Sequence, residues 1–172
     1  SAWSVHPDPI ITFDPLPARV RVELGGTTVA DSYDARVMYE IGHPPAYYLP
    51  RAALREDLLR DSGHTTHCPY KGDAAYWHVL GGTGFAENAV WTYARPFPEM
   101  AQLAGWVGFY WARFDAWYED EEQVDAPREI AGRCNHENNF AACYPELARR
   151  WHPDNDSRVP AYKFPTDSDT VV

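Results

Sequence analysis

Four residues within eight positions carry side chains capable of chemistry: His64, His67, Cys68 and Lys71, in the stretch "HTTHCPYKGDAAYW". Two imidazoles and a thiol are soft ligands, and Cys134, His136 or Cys143 could complete a tetrahedral zinc site with them. Structural zinc sites generally present two spaced cysteine pairs, and the chain contains no CxxC. No metal and no organic cofactor is therefore expected, with zinc as the lesser alternative. Cys68 could act as a nucleophile only beside a cation or an imidazole. His67 is its neighbour in sequence, and neighbours on an extended chain point to opposite faces, so His64 or Lys71 would have to serve. Lys71 offers more. A buried lysine can bind a carboxylate, form a Schiff base, or act as a general base if its pKa is depressed. The plainer alternative pairs it with Asp73 at the surface.

Aromatic residues crowd the same part of the chain: Tyr70, Tyr76, Trp77, Trp91, Tyr93, Tyr110, Trp111, Trp117 and Tyr118. Core filling explains any one of them, but alternation along strands would turn part of the set toward one pocket. Aromatic walls with a few convergent polar groups describe a small-molecule site, and cation–π capture would suit a positively charged ligand. Glu40, Arg51, Glu87 and Asp115 are the polar candidates beside Lys71. The expectation is a small-molecule enzyme using Lys71 with His64 or His67 as acid and base, oriented by Glu40 or Glu87. Its substrate would be a compact polar or cyclic organic molecule, and a hydrolase, lyase or isomerase would fit equally. The alternatives are a non-catalytic small-molecule-binding module and a regulatory interaction protein. The acidic run "YEDEEQVD" reads as solvated surface. "NHENN", with His136 and Glu137, reads as a solvated loop.

The composition bounds these readings. The chain has 172 residues, 45% hydrophobic and 15% aromatic, with a net charge of −10 and a sequence pI near 5.0. Phosphate contacts need clustered Lys and Arg, so a nucleic-acid partner is not expected, nor is docking on an anionic membrane. No apolar run reaches the roughly 18 residues of a membrane span. The opening "SAWSVHPDPI" lacks the basic region and apolar core of a signal peptide. Three cysteines suit a reducing compartment better than a disulfide framework, so a soluble, cytoplasmic protein is expected, with a homodimer left open.

The elements that must position these residues are mostly strands. "RVRVEL" alternates, "GG" at Gly25 and Gly26 turns, and "TTVADS" returns as a hairpin. "ARVMYEIG" fits a strand or a short helix, and "HPPAYYLP" a short strand. "RAALREDLLRD" has helical spacing and ends near Ser62-Gly63. "CPYKGDAAYWHVL" is a loop into a strand, "GGTG" a turn, and "FAENAVWTY" the hairpin partner. "PFPEMAQLAGW" reads as a second short helix, and "VGFYWARFDAWYEDEE" as strands. Residues 1–122 then form one domain with an extended N-terminal segment. Residues 123–172 form a polar C-terminal arm with one short helix at "PELARRW".

The blocks "RVRVELGGTTVADS", "GHPPAYYLPR", "HTTHCPYKGDAAYW" and "ENAVWTYARPFPEMAQLAGWVGFYWARFDAWYEDEE" occur in one order. That order resembles a bacterial domain-of-unknown-function family, number 427, once labelled nucleotidyltransferase-like. "CPYKG" and "DAWYED" are the most specific parts. The resemblance covers roughly Arg19 to Glu122 and implies a β-tent fold, in which two antiparallel sheets are pinned at one edge with a pocket between them. It implies a fold more than a reaction. The nucleotidyltransferase label finds no phosphate-cradling glycine loop and no basic pocket here.

Overall fold

A computed structural model of the chain describes residues 2–5, 11–40 and 45–125. Eleven strands follow in order: β1 (Ile11–Pro15), β2 (Val20–Leu24), β3 (Thr27–Ser32), β4 (Arg36–Glu40), β5 (Ala46–Pro50), β6 (Leu59–Cys68), β7 (Gly72–Gly81), β8 (Gly84–Thr92), β9 (Trp106–Phe109), β10 (Ala116–Glu119) and β11 (Glu122–Val124). They make two antiparallel sheets. One has seven strands in the order β1-β4-β5-β9-β8-β7-β6, and the other has four in the order β11-β10-β2-β3. The mostly β, two-sheet architecture expected from the sequence is what the chain adopts. The expected arm lies outside the described residues from position 126 on. Among the described residues no helix is long and apolar enough to cross a membrane.

Alternation divides the large sheet into two buried faces. Val37 and Tyr39 of β4, Tyr47 and Leu49 of β5, and Val107 and Phe109 of β9 turn toward the four-stranded sheet and join Val20, Val22 and Trp117 in the inter-sheet core. The alternate residues Met38 of β4, Tyr48 of β5 and Trp106 of β9 turn the other way. There they meet Phe13, Cys68, Tyr70, Tyr76, Trp91, Tyr93 and Tyr110 in a second cluster. A strand buried on both faces shows apolar residues at consecutive positions, which is why "VMYE" and "YYL" give no clear period.

The second cluster is covered by short pieces. Trp3 Nε1 donates to the carbonyl of Tyr70 at 2.7 Å, and the amide of Ala2 donates to that of Pro69 at 3.0 Å. Met100 and Leu103, from the 3-10 turns at Pro98–Leu103, pack on it. These turns stand where the sequence predicted a helix. "RAALREDLLRD" likewise forms two 3-10 turns, Arg51–Ala53 and Glu56–Leu58, before entering β6. Leu54 bridges to Ala30, and the Arg55 amide donates to the Val29 carbonyl at 3.0 Å. Pairing with β3 and then β7 thus overrides helix propensity.

The two sheets come into close backbone contact at two hairpin tips. A methyl group at Gly25, on the β2–β3 turn, would run into the carbonyl oxygen of Gly81. One at Gly81 would strike that of Leu24. Only glycine lets backbones meet this closely.

Candidate functional site

The turn from β6 to β7 builds the centre of the site. Cys68 pairs with Gly72, which leaves Pro69, Tyr70 and Lys71 as a three-residue connection. Gly72 closes it at φ +112, a conformation that L side chains rarely adopt. A lysine in such a turn would ordinarily extend into water. Lys71 folds inward, and its side chain is 0% exposed. Its Nζ donates to Glu40 Oε2 at 2.6 Å and lies 3.6 Å from Met38 Sδ. The ring of Tyr93 lies below it, 5.9 Å to the centroid.

Glu40, the last residue of β4, is 4% exposed and follows Met38 on the same face. The alternative surface pair with Asp73 is not formed. Asp73 instead holds His67 Nδ1 at 2.6 Å on the exposed side of the hairpin.

Burial disfavours the ammonium form of Lys71, but the Glu40 carboxylate beside it outweighs that and holds its pKa above the ordinary lysine value. Lys71 is thus a fixed cation at neutral pH, and the depressed pKa needed by a lysine base or Schiff-base amine is not found. Burial also pushes the Cys68 thiol up, with Lys71 only partly offsetting it. A thiol held protonated in this way is a poor nucleophile.

Tyrosines surround the pair. Tyr48, fully buried on β5, accepts a hydrogen bond from Trp91 Nε1 at 3.0 Å, and burial raises its pKa to about 12. Burial raises Tyr93 well above the usual tyrosine value too, and its hydroxyl has no hydrogen-bond partner among the described residues. Tyr76, whose pKa burial also raises, bonds Thr66 Oγ1 at 2.9 Å and stacks on Tyr110. His64 contacts the Tyr76 ring, 4.5 Å between centroids, at the exposed rim.

The remaining sequence candidates sit elsewhere. Trp77 and Trp111 pack against the inter-sheet core. Arg51 lies 4.5 Å over the Trp77 ring and pairs with Glu56. Tyr118 carries Arg21 over its ring at 4.8 Å. Asp115 accepts the Gly25 amide at 2.6 Å and fastens a hairpin tip. Glu87 borders an open cleft of about 370 Å³ with Phe85, Ala86, Asn88 and Arg113, whose lining does not include Lys71. The structure therefore brings Lys71, Glu40, Tyr70, Tyr76, Trp91 and Tyr93 to one face, sets His64 at its edge, and sends His67 and Glu87 away. Among the described residues no three of His, Cys, Asp and Glu gather as metal ligands. Cys134, His136, Glu137 and Cys143 lie outside those residues.

A family model described as a domain of unknown function, DUF427, matches residues 12–120. The chain belongs to the DUF427 family. No curated protein matches it.

The structure gives the two most distinctive DUF427-like blocks of this chain separate tasks. "CPYKG" is the turn that folds Lys71 inward. "DAWYED" fastens the small sheet: Trp117 stacks on both Tyr47 and Trp111, which also stack on each other, and Glu119 accepts a hydrogen bond from the Tyr47 hydroxyl across the core. Glu119 is 0% exposed, whereas the sequence reading placed the whole acidic run in solvent. Alternation in "AWYE", which sets Trp117 and Glu119 on one face, is the signal that separates it from its exposed successors Asp120, Glu121 and Glu122. Tyr48 and Met38 were missed because β4 and β5 are buried on both faces.

Proposed function

We propose that this DUF427 protein binds a compact, cyclic organic molecule on the Lys71 face of the large sheet, with Lys71 as the fixed cationic donor. The observation that carries this reading is the fully buried Lys71–Glu40 pair at 2.6 Å. Desolvating two charges costs several kcal/mol per ion, and a buried pair often adds nothing to stability over an apolar replacement. A turn lysine could avoid that cost by pointing outward. An ammonium carries three donors, and Glu40 with the weak Met38 contact accounts for two. The third suits a ligand carbonyl or carboxylate, and the Tyr93 hydroxyl supplies a further polar group.

A second reading keeps catalysis. Donors fixed in a dry site stabilise negative charge that develops in a transition state. Lys71 would then act as electrostatic stabiliser, and the base would be another group, His64 at the rim being the candidate brought nearest by its contact with Tyr76. This replaces the lysine base of the sequence expectation.

Titration of the protein with a panel of small cyclic carboxylates and ketones, benzoate among them, followed by tryptophan fluorescence and NMR, tests both. Saturable binding that disappears in Lys71→Met/Glu40→Leu supports the binding reading. Conversion of any bound compound supports the catalytic one. If nothing in the panel binds, or if binding persists in the double variant, the reading fails.

A further inference from the structure

The cleft beside Glu87 is built around an irregularity in β8. Ala86 pairs with Val79 and Val90 with Trp77, so Glu87, Asn88 and Ala89 together oppose the single residue His78. Such a bulge turns backbone groups out of the ladder and re-aims side chains. Here it is firmly held. Asn88 takes φ +45, its amide donates to His78 Nδ1 at 3.0 Å, and its side chain bonds the Ser62 hydroxyl. The out-turned carbonyls of Glu87 and Asn88 both accept from one terminal nitrogen of Arg113, at 2.9 and 2.7 Å. The guanidinium also lies 4.4 Å over the Tyr110 ring.

Arg113 is thus fixed by one nitrogen and one flat face. Its Nε and second terminal nitrogen have no partner among the described residues. That edge of a guanidinium matches a carboxylate with two parallel hydrogen bonds. Glu87, exposed on the lining of the same cleft, makes no side-chain ion pair or hydrogen bond among the described residues. Phe85 at the margin is 58% exposed and leans on His78 at 5.3 Å.

A prepositioned cation, a carboxylate and an exposed ring thus share the lining of one cleft of about 370 Å³. We infer that it is a second binding site, separate from Lys71, for a zwitterionic apolar amino acid. The ligand's carboxylate would sit on the Arg113 edge, its ammonium on Glu87 and its side chain on Phe85.

L-Phenylalanine titrated into the intact protein by calorimetry and amide NMR is the test. The expected result is saturable binding with shifts at Phe85, Glu87 and Asn88. Arg113→Gln and Glu87→Gln should each weaken it about tenfold or more, the loss of one charge-assisted contact. N-acetyl-L-phenylalanine, which lacks the ammonium, should bind more weakly and be indifferent to Glu87→Gln. Because Glu87 is exposed, this comparison stands even if Arg113→Gln fails to fold. No saturable binding, equal affinity in the wild type and Glu87→Gln, or shifts confined to the Lys71 face would overturn the assignment.

Discussion

Lys71 shows how one side chain's direction can decide a reading. Pro69, two positions earlier in the same turn, is exposed, yet Lys71 lies among Glu40, Met38, Tyr48 and Tyr93 with no exposed area. Several of these groups hold protons more tightly folded than unfolded: Tyr48 at about 12, and Tyr76, Tyr93 and Lys71 with pKa values raised as well. The unfolded chain releases these protons from about pH 10 upward while the fold retains them, so stability is full below that point and falls as pH rises toward 12. Denaturant midpoints measured from pH 8 to pH 12 should drop progressively, and Tyr48→Phe should make the decline shallower. A flat profile would contradict the burial of these hydroxyls. The sequence singled out Lys71 and five of the surrounding aromatics, Tyr70, Tyr76, Trp91, Tyr93 and Tyr110, because they fall in the family-like block, and it offered Glu40 only as one of four polar candidates. It did not disclose that His67 faces away, although its adjacency to Cys68 held that information once β6 was known to be extended. Nor did it show the sign of the lysine shift, which depends on a carboxylate 31 positions earlier.

At the scale of elements, the large sheet is shaped by what its strands carry across each other. Trp91 of β8 lies over Gly108 of the neighbouring β9, where a Cβ would collide with the indole ring. Gly108→Ala should therefore displace Trp91, loosen its bond to Tyr48 and destabilise the fold by about 1–3 kcal/mol, as overpacking typically does. Thermal unfolding monitored by tryptophan fluorescence would report both changes, and an unaltered Tm would exclude the packing described. Hairpins were legible because turn glycines and alternating residues mark them locally. The two expected helices were not, because the helical spacing of "RAALREDLLRD" and the opening prolines of "PFPEMAQLAGW" are local signals whose outcome is set by distant partners: β3 and β7 for the first, the tyrosine-lined cluster for the second.

At the scale of the whole molecule, the seven-stranded sheet serves two cores. The inner one is sealed against the four-stranded sheet by glycine hairpin tips in close contact and by the Tyr47–Glu119 bond between aromatic stacks. Tyr47→Phe removes that cross-sheet donor to a buried carboxylate and should cost about 1–3 kcal/mol in chemical denaturation. A neutral effect would show that Glu119 does not depend on it. The outer core holds the Lys71–Glu40 pair, and family resemblance with alternation made the two-sheet plan readable without revealing this division of labour. The central claim is that the pair is kept for binding rather than for stability. Equilibrium unfolding of Lys71→Met, Glu40→Leu and the double variant tests it most directly. Each single change leaves a buried charge alone and should cost about 3–5 kcal/mol, while the double should return to wild-type stability or exceed it. A double variant as unstable as the singles would mean that the ion pair holds the fold together, and would contradict the account.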